Sequence, residues 1–119
     1  MNSLYINHAQ MVARLNKPGQ SIINDLTPVK AHIWHMGTGI SGESGEILDT
    51  VKKHVVYNKA LDIENLIEEL GDMEYFMEGL RAATGITREQ CLQHNLDKLA
   101  KRYPAGYSNQ AAQARADKQ

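Results

Sequence analysis

The segment from Asp62 to Gly85 constrains this chain more than any other. Asp62 can accept hydrogen bonds from the free backbone N–H groups at the start of a helix, and Gly85 can take the left-handed conformation that ends one. Between them Ile63, Leu66, Ile67, Leu70, Met73, Phe76, Met77 and Leu80 recur at intervals of three and four residues, the spacing of an apolar helical face. The arc they cover is wider than one neighbouring helix can hide. Such a segment has to pack against several helices, and a chain that cannot supply enough of them has to draw on a second copy of itself.

The other punctuation also reads as helices. Leu4 to Leu15 predicts a first helix, stopped by Asn16-Lys17-Pro18-Gly19. Thr27-Pro28 is a cap followed by proline at the first helical position and opens a second. Gly37, Gly39 and Gly42 can bend or interrupt it, but the apolar spacing resumes through Ile47, Leu48, Val51 and Val55. The Asp62–Gly85 segment is the third helix. Thr87-Arg88-Glu89-Gln90 has the form of a capping box and starts a fourth, which ends before Pro104. No strand alternation and no internal repeat compete with this reading. The expected fold class is all-α, a four-helix core completed by homo-oligomerisation, most simply as a twofold dimer. One domain is expected over residues 1–107, followed by a polar, flexible tail over 108–119.

Composition narrows the function classes. A chain of 119 residues makes one domain, with a radius of gyration of about 13–14 Å. Thirteen Lys and Arg stand against 14 Asp and Glu, a balance that fits neither a binder of nucleic-acid polymers nor a disordered acidic chain. Cys91 is the single cysteine, so no internal disulfide can form. It falls on the core side of the fourth helix, where a structural thiol is expected. Met1 to His8 lack the basic start and apolar run of a signal peptide, and no segment reaches the ~20 apolar residues of a membrane span. The expectation is a cytoplasmic protein with no membrane partner.

The near-neutral total hides an asymmetry. From Glu43 to Glu78 there are ten acids and three bases, while the rest of the chain carries four acids and ten bases. Position on the third helix separates the acids. With Ile63 set at 0°, Glu64 and Glu68 fall at about 100° and 140°, opposite the apolar arc, whereas Glu69 falls at about 240°, inside it. Asp72, at about 180°, borders the arc. A carboxylate in an apolar arc stays ionised only beside positive charge. A Lys or Arg from a neighbouring helix is one source of that charge, and a cation is another. On the second helix Glu43 and Glu46 are neighbours at i, i+3, with Glu43 at the edge of the apolar face. Two such pairs facing one another would repel and raise each other's pKa, which a divalent ion relieves. An all-oxygen set favours Mg²⁺, with Mn²⁺ as substitute. A di-iron bundle would need Glu-x-x-His, and no Glu here has His three residues on.

Magnesium held by carboxylates commonly shares a substrate phosphate, so a basic surface should accompany it. Asn95, Lys98 and Arg102 form a stripe at i, i+3 and i+7 beside Leu92, Leu96, Leu99 and Tyr103, and Lys52 and Lys53 follow Glu46. Taken alone, Lys98 to Arg102 are equally well explained as compensation of a helix C-terminus.

As a set these residues resemble the MazG-like family. The resemblance lies in Gly42-Glu43-Ser44-Gly45-Glu46-Ile47-Leu48-Asp49, then Val51-Lys52-Lys53, then Glu68-Glu69-Leu70-Gly71-Asp72, and then Asn95-Leu96-Asp97-Lys98-Leu99-Ala100-Lys101-Arg102-Tyr103-Pro104. It covers residues 31–107. Each acid pair alone is weak; the ordered set is specific. The resemblance implies an all-α nucleoside triphosphate pyrophosphohydrolase that uses Mg²⁺ to convert a nucleoside or deoxynucleoside triphosphate and water into the monophosphate and pyrophosphate. It implies metal binding by Glu43, Glu46, Glu69 and Asp72; of these, Glu46 and Glu69 are expected to act in catalysis, one acid of the cluster orienting the attacking water. Phosphate contacts map onto Lys53, Asn95, Lys98 and Arg102. The resemblance further implies a homodimer or homotetramer whose sites draw on more than one subunit. Some relatives carry a second acid where this chain has Gly42.

For the base, His32, Trp34, His35 and Tyr103 are the stacking candidates; an aromatic face under a nucleobase contributes about 1–3 kcal/mol. Trp34 serves equally as a core or interface anchor. Gly42 and Gly45, three apart, are expected to allow close helix approach beside the metal. The alternative to an enzyme is a helical module that binds nucleotide, metal or another protein without turnover.

Overall fold

The computed structural model describes residues 2–119 and is predominantly helical, with no strand among them. The helices are α1 (Ser3–Leu15), α2 (Gly19–Asp25), α3 (Pro28–Val55), α4 (Ile63–Thr84), α5 (Arg88–Arg102) and α6 (Asn109–Ala114), followed by a 3-10 turn over Ala116–Lys118. The all-α class is therefore established, and the chain divides into two units, residues 1–31 and 32–119.

The capping chemistry acts where the sequence places it. Asp62 accepts a hydrogen bond from the Asn65 N–H at 3.0 Å and starts α4. Gly85 ends α4 at φ 72°, a left-handed value that costs a residue without Cβ nothing. Thr87 and Gln90 form a reciprocal capping box at 3.1 and 2.7 Å, and Lys30 N–H donates to Thr27 at the start of α3. The α3 helix runs unbroken through Gly37, Gly39 and Gly42.

The unit over residues 1–31 holds α1, α2 and the first turn of α3. Asn16-Lys17-Pro18-Gly19 does stop α1, but α2 begins at Gly19, a helix the punctuation alone conceals. Pro18, at φ −58°, supplies the turn into it. An i, i+4 bond from Gln20 to Asn24 and an ion pair from Lys17 to Asp25 at 3.3 Å then support its seven residues.

In the second unit α3 and α4 form an antiparallel hairpin. Its apolar end is built on two glycines: the Phe76 ring lies against Gly39 and the Met36 thioether against Gly79, each where a Cβ would stand. Phe76 is also met edge-on by His35 and Tyr75. The close approach expected at Gly42 and Gly45 is thus found one turn earlier, since among the described residues none from another helix lies within 4 Å of a Cβ at those two positions. Gly39→Ala should therefore destabilise by about 1–3 kcal/mol, because overpacking against a ring outweighs the gain of roughly 1 kcal/mol that alanine brings to a helix. Gly42→Ala should show that gain alone. Chemical denaturation of the two variants checks the contrast.

At the opposite end of the hairpin Thr50, 5% exposed, accepts a hydrogen bond from the Asn65 side chain at 2.6 Å. The polar stretch after Ser108 forms α6 and the 3-10 turn, and both pack on α5. Asp117 of the turn pairs with Arg102 at 2.7 Å, the two side chains being 6% and 16% exposed.

Among the described residues Met36 is the buried hydrophobic side chain; Thr50 and Glu69 are buried polar ones. Ile63, Ile67 and Leu70 of α4 and Leu92, Leu96 and Leu99 of α5 are exposed. Cys91 is exposed with them, contrary to the expectation of a covered thiol, because the apolar cavity of about 240 Å³ that it lines with Ile40, Met77, Leu80 and Ile86 is left unfilled.

Candidate active site

The α3–α4 hairpin brings the two acid pairs together. Glu43 and Glu46 lie on the same side of α3 as Thr50, at i, i+3 and i+7; Glu69 and Asp72 lie on the same side of α4 as Asn65, at i+4 and i+7. The antiparallel arrangement then sets Glu69 against Glu43 and Glu46. One carboxylate oxygen from each of Glu43, Glu69 and Asp72 lies within 4.8 Å of the others. Glu69 is 8% exposed, Glu43 is half-buried and Asp72 is open to solvent. Glu46 is exposed and stands beside Glu69.

The electrostatics follow from this crowding. The Glu69 charge, and a hydrogen bond between the two carboxyls, hold Glu46 above the usual carboxylate range. Glu69 is itself raised, first by its hydrogen bond to Glu43 and then by burial. Among the described residues no Lys or Arg pairs with any of the four acids; the ion pairs of α3 and α4 join Asp49 to Lys52 and Lys53, and Arg81 to Glu74 and Glu78. The cationic partner that a buried carboxylate calls for is therefore absent from the neighbouring side chains. One observation completes the fit to a metal ion: the Glu43 Oε2 atom is buried without a hydrogen-bond partner. A buried acceptor of this kind is costly unless something positive meets it. Three converging carboxylates and an orphaned oxygen suit a hard divalent cation.

The expected phosphate contacts are dispersed. Lys53 pairs with Asp49 at 3.0 Å and lines a polar cavity of about 290 Å³ with Thr50, Lys59, Ala60, Asp62 and Asn65. Asn95 and Lys98 line a larger open groove of about 610 Å³, together with Gln90, Cys91, His94 and Lys118. Arg102 is turned to Asp117, whose carboxylate it holds below the ordinary range. The base candidates are likewise apart: His32 and Trp34 are exposed on α3, His35 meets Phe76, and Tyr103 packs on Tyr107 at 5.7 Å between ring centres. Thr50 and Asn65 escape a reading by residue type, because a single Thr and a single Asn on two helices carry no spacing signal; only the i+7 relation of each to an acid pair points to them.

A search of known proteins finds no curated protein and no solved structure that matches the chain. The model of the MazG nucleotide pyrophosphohydrolase domain, however, matches residues 34–107. That stretch holds both acid pairs, the Lys pair and the stripe on α5, and it is more than half of the sequence. With the helical hairpin and its acid cluster, this match makes the chain a member of the MazG nucleotide pyrophosphohydrolase family.

Proposed function

We propose that the protein is a Mg²⁺-dependent pyrophosphohydrolase of nucleoside or deoxynucleoside triphosphates, with nucleotide-pool control or housecleaning in the cytoplasm as its setting. The reading is carried by the convergence of the Glu43, Glu69 and Asp72 carboxylates, with one buried Glu43 oxygen left without a hydrogen-bond partner. Glu43, Glu69 and Asp72, with Glu46 beside them, would hold the ion. When bound, it would screen the triphosphate charge and make phosphorus more open to attack.

The residues of the chain have separable parts in such a reaction. Glu46 lies next to the three converging carboxylates and remains open to solvent, so it can orient the attacking water and accept its proton. Glu69, buried between the two helices, supplies negative charge where water competes least. Water adds to phosphorus, the bond between the α- and β-phosphates breaks, and pyrophosphate leaves with the monophosphate as co-product. Lys98 and Asn95, in one groove, can receive phosphate oxygens. Arg102 can do so once it exchanges Asp117 for a phosphate. The apolar faces of α4 and α5 support a homodimer or homotetramer.

Pyrophosphate release from a panel of nucleoside and deoxynucleoside triphosphates, with Mg²⁺ and with EDTA, tests the proposal. The expected result is release that requires the metal and is matched mole for mole by monophosphate. Folded protein that releases none from any nucleotide would instead be a non-catalytic binding module.

A further inference from the structure

Facing acids need more than facing helices. The wheel decides which sides of α3 and α4 meet, but sliding one helix along the other by a turn displaces its side chains by about 5.4 Å. That shift is larger than the distance over which Glu43, Glu69 and Asp72 converge. The carboxylates cannot fix the register themselves, since once ionised and without a cation they repel one another. We propose that the hydrogen bond between Thr50 and Asn65 is the positioning contact that sets this register and so holds the acid cluster ready for its ion. The inference rests on the cation-binding reading of the cluster.

The contacts along the hairpin follow one rule. In the pairs Met36–Gly79, Gly39–Phe76, Glu43–Asp72, Glu46–Glu69 and Thr50–Asn65, every step forward on α3 is matched by an equal step back on α4. The acid rungs are flanked by two apolar contacts on one side and by the Thr50–Asn65 bond on the other. The apolar contacts set how closely the helices approach, but a ring or thioether over a glycine tolerates sliding. A hydrogen bond of 2.6 Å does not, because it is directional and short-ranged. Thr50 is 5% exposed, so water competes little for it. Its hydroxyl also donates to the Glu46 carbonyl at 3.2 Å, which ties the contact to the residue whose side chain meets Glu69. Asn65 stands one turn before Glu69 on the partner helix. Thr50 and Asn65 are thus positioning residues, acting through Glu46 and Glu69.

Mn²⁺ binding followed by titration calorimetry at low temperature, alongside kcat and KM, tests this. Thr50→Val keeps the shape and removes the hydroxyl; Asn65→Leu removes the donor from a half-buried side chain. Each should weaken Mn²⁺ binding by about tenfold, the scale on which supporting contacts act on metal sites. The double variant should be no weaker than either single one, since both break the same bond. Thr50→Ser should restore wild-type affinity to within about twofold. A lower melting temperature with unchanged Mn²⁺ affinity would make the contact merely structural and overturn the proposal. If Thr50→Val does not fold, Asn65→Leu decides by the same criterion. Wild-type protein that binds no Mn²⁺ would overturn the cation reading together with this one; wild type and variants binding equally would overturn this one alone.

Discussion

Glu69→Gln will keep the helices and lose turnover, with kcat falling by more than about a hundredfold. Replacing residues that merely support a metal ligand costs 10- to 100-fold as a rule, and Glu69 lies at the centre of the cluster rather than beside it. The substitution preserves shape and removes one charge. Stability of the metal-free protein should move the opposite way from activity, because the lost charge was buried among other acids. The pH dependence gives the sign a second reading. Glu46 and Glu69 are held above the ordinary glutamate value of 4.5, so the folded protein keeps protons that the unfolded chain has released. Metal-free stability therefore falls as pH rises from 4.5 through the raised values, and is fully retained only below 4.5. Glu69→Gln should flatten that slope. Mg²⁺ should raise the melting temperature of the wild type and leave that of the variant nearly unchanged, since only the form that binds the ion gains from it. Wild-type kcat in Glu69→Gln under saturating Mg²⁺ would remove Glu69 from the site.

How far the sequence foretells this arrangement differs between the two axes of a helix. Rotation about the axis is legible: Asp62, Gly85 and the Thr87–Gln90 box fix where helices begin and end, and 3.6-residue periodicity then puts Glu69 inside an apolar arc. The structure buries that residue and leaves Glu64 and Glu68 exposed. Translation along the axis is not legible. How closely α3 and α4 approach depends on Phe76 finding Gly39, and which residue meets which on Asn65 finding Thr50; those choices have no periodic trace. Glycine in α3 illustrates the point, since four glycines fall within nine residues and only the contact with Phe76 singles out Gly39. The Arg102–Asp117 pair was hidden for a related reason. Arg102 reads from sequence as an end-of-helix base, and Asp117 is the one acid of a stretch whose composition promises no packing.

The apolar surface supplies the second large effect. Ile67 is 65% exposed on α4. At so open a position in a lone chain, replacement by aspartate would change stability by about 0.5 kcal/mol or less. If α4 is covered by a second copy, the same substitution places an unpaired charge inside an apolar interface. Ile67→Asp should then abolish the dimer or tetramer in light scattering at concentrations where the wild type is fully assembled. It should also lower the melting temperature by more than about 10 °C, because the loss of several kcal/mol is large for a chain of this size. The wild-type melting temperature should rise with protein concentration, as it does when assembly and folding are linked. Glu68→Asp, next along the helix but on its hydrated side, should do neither. A monomeric wild type, or an Ile67→Asp variant that melts where the wild type does, would leave the apolar arc of α4 without the second copy that its width demands. The two large effects are also separable: Glu69→Gln should stay assembled while inactive, and Ile67→Asp should lose activity only as it loses its partner.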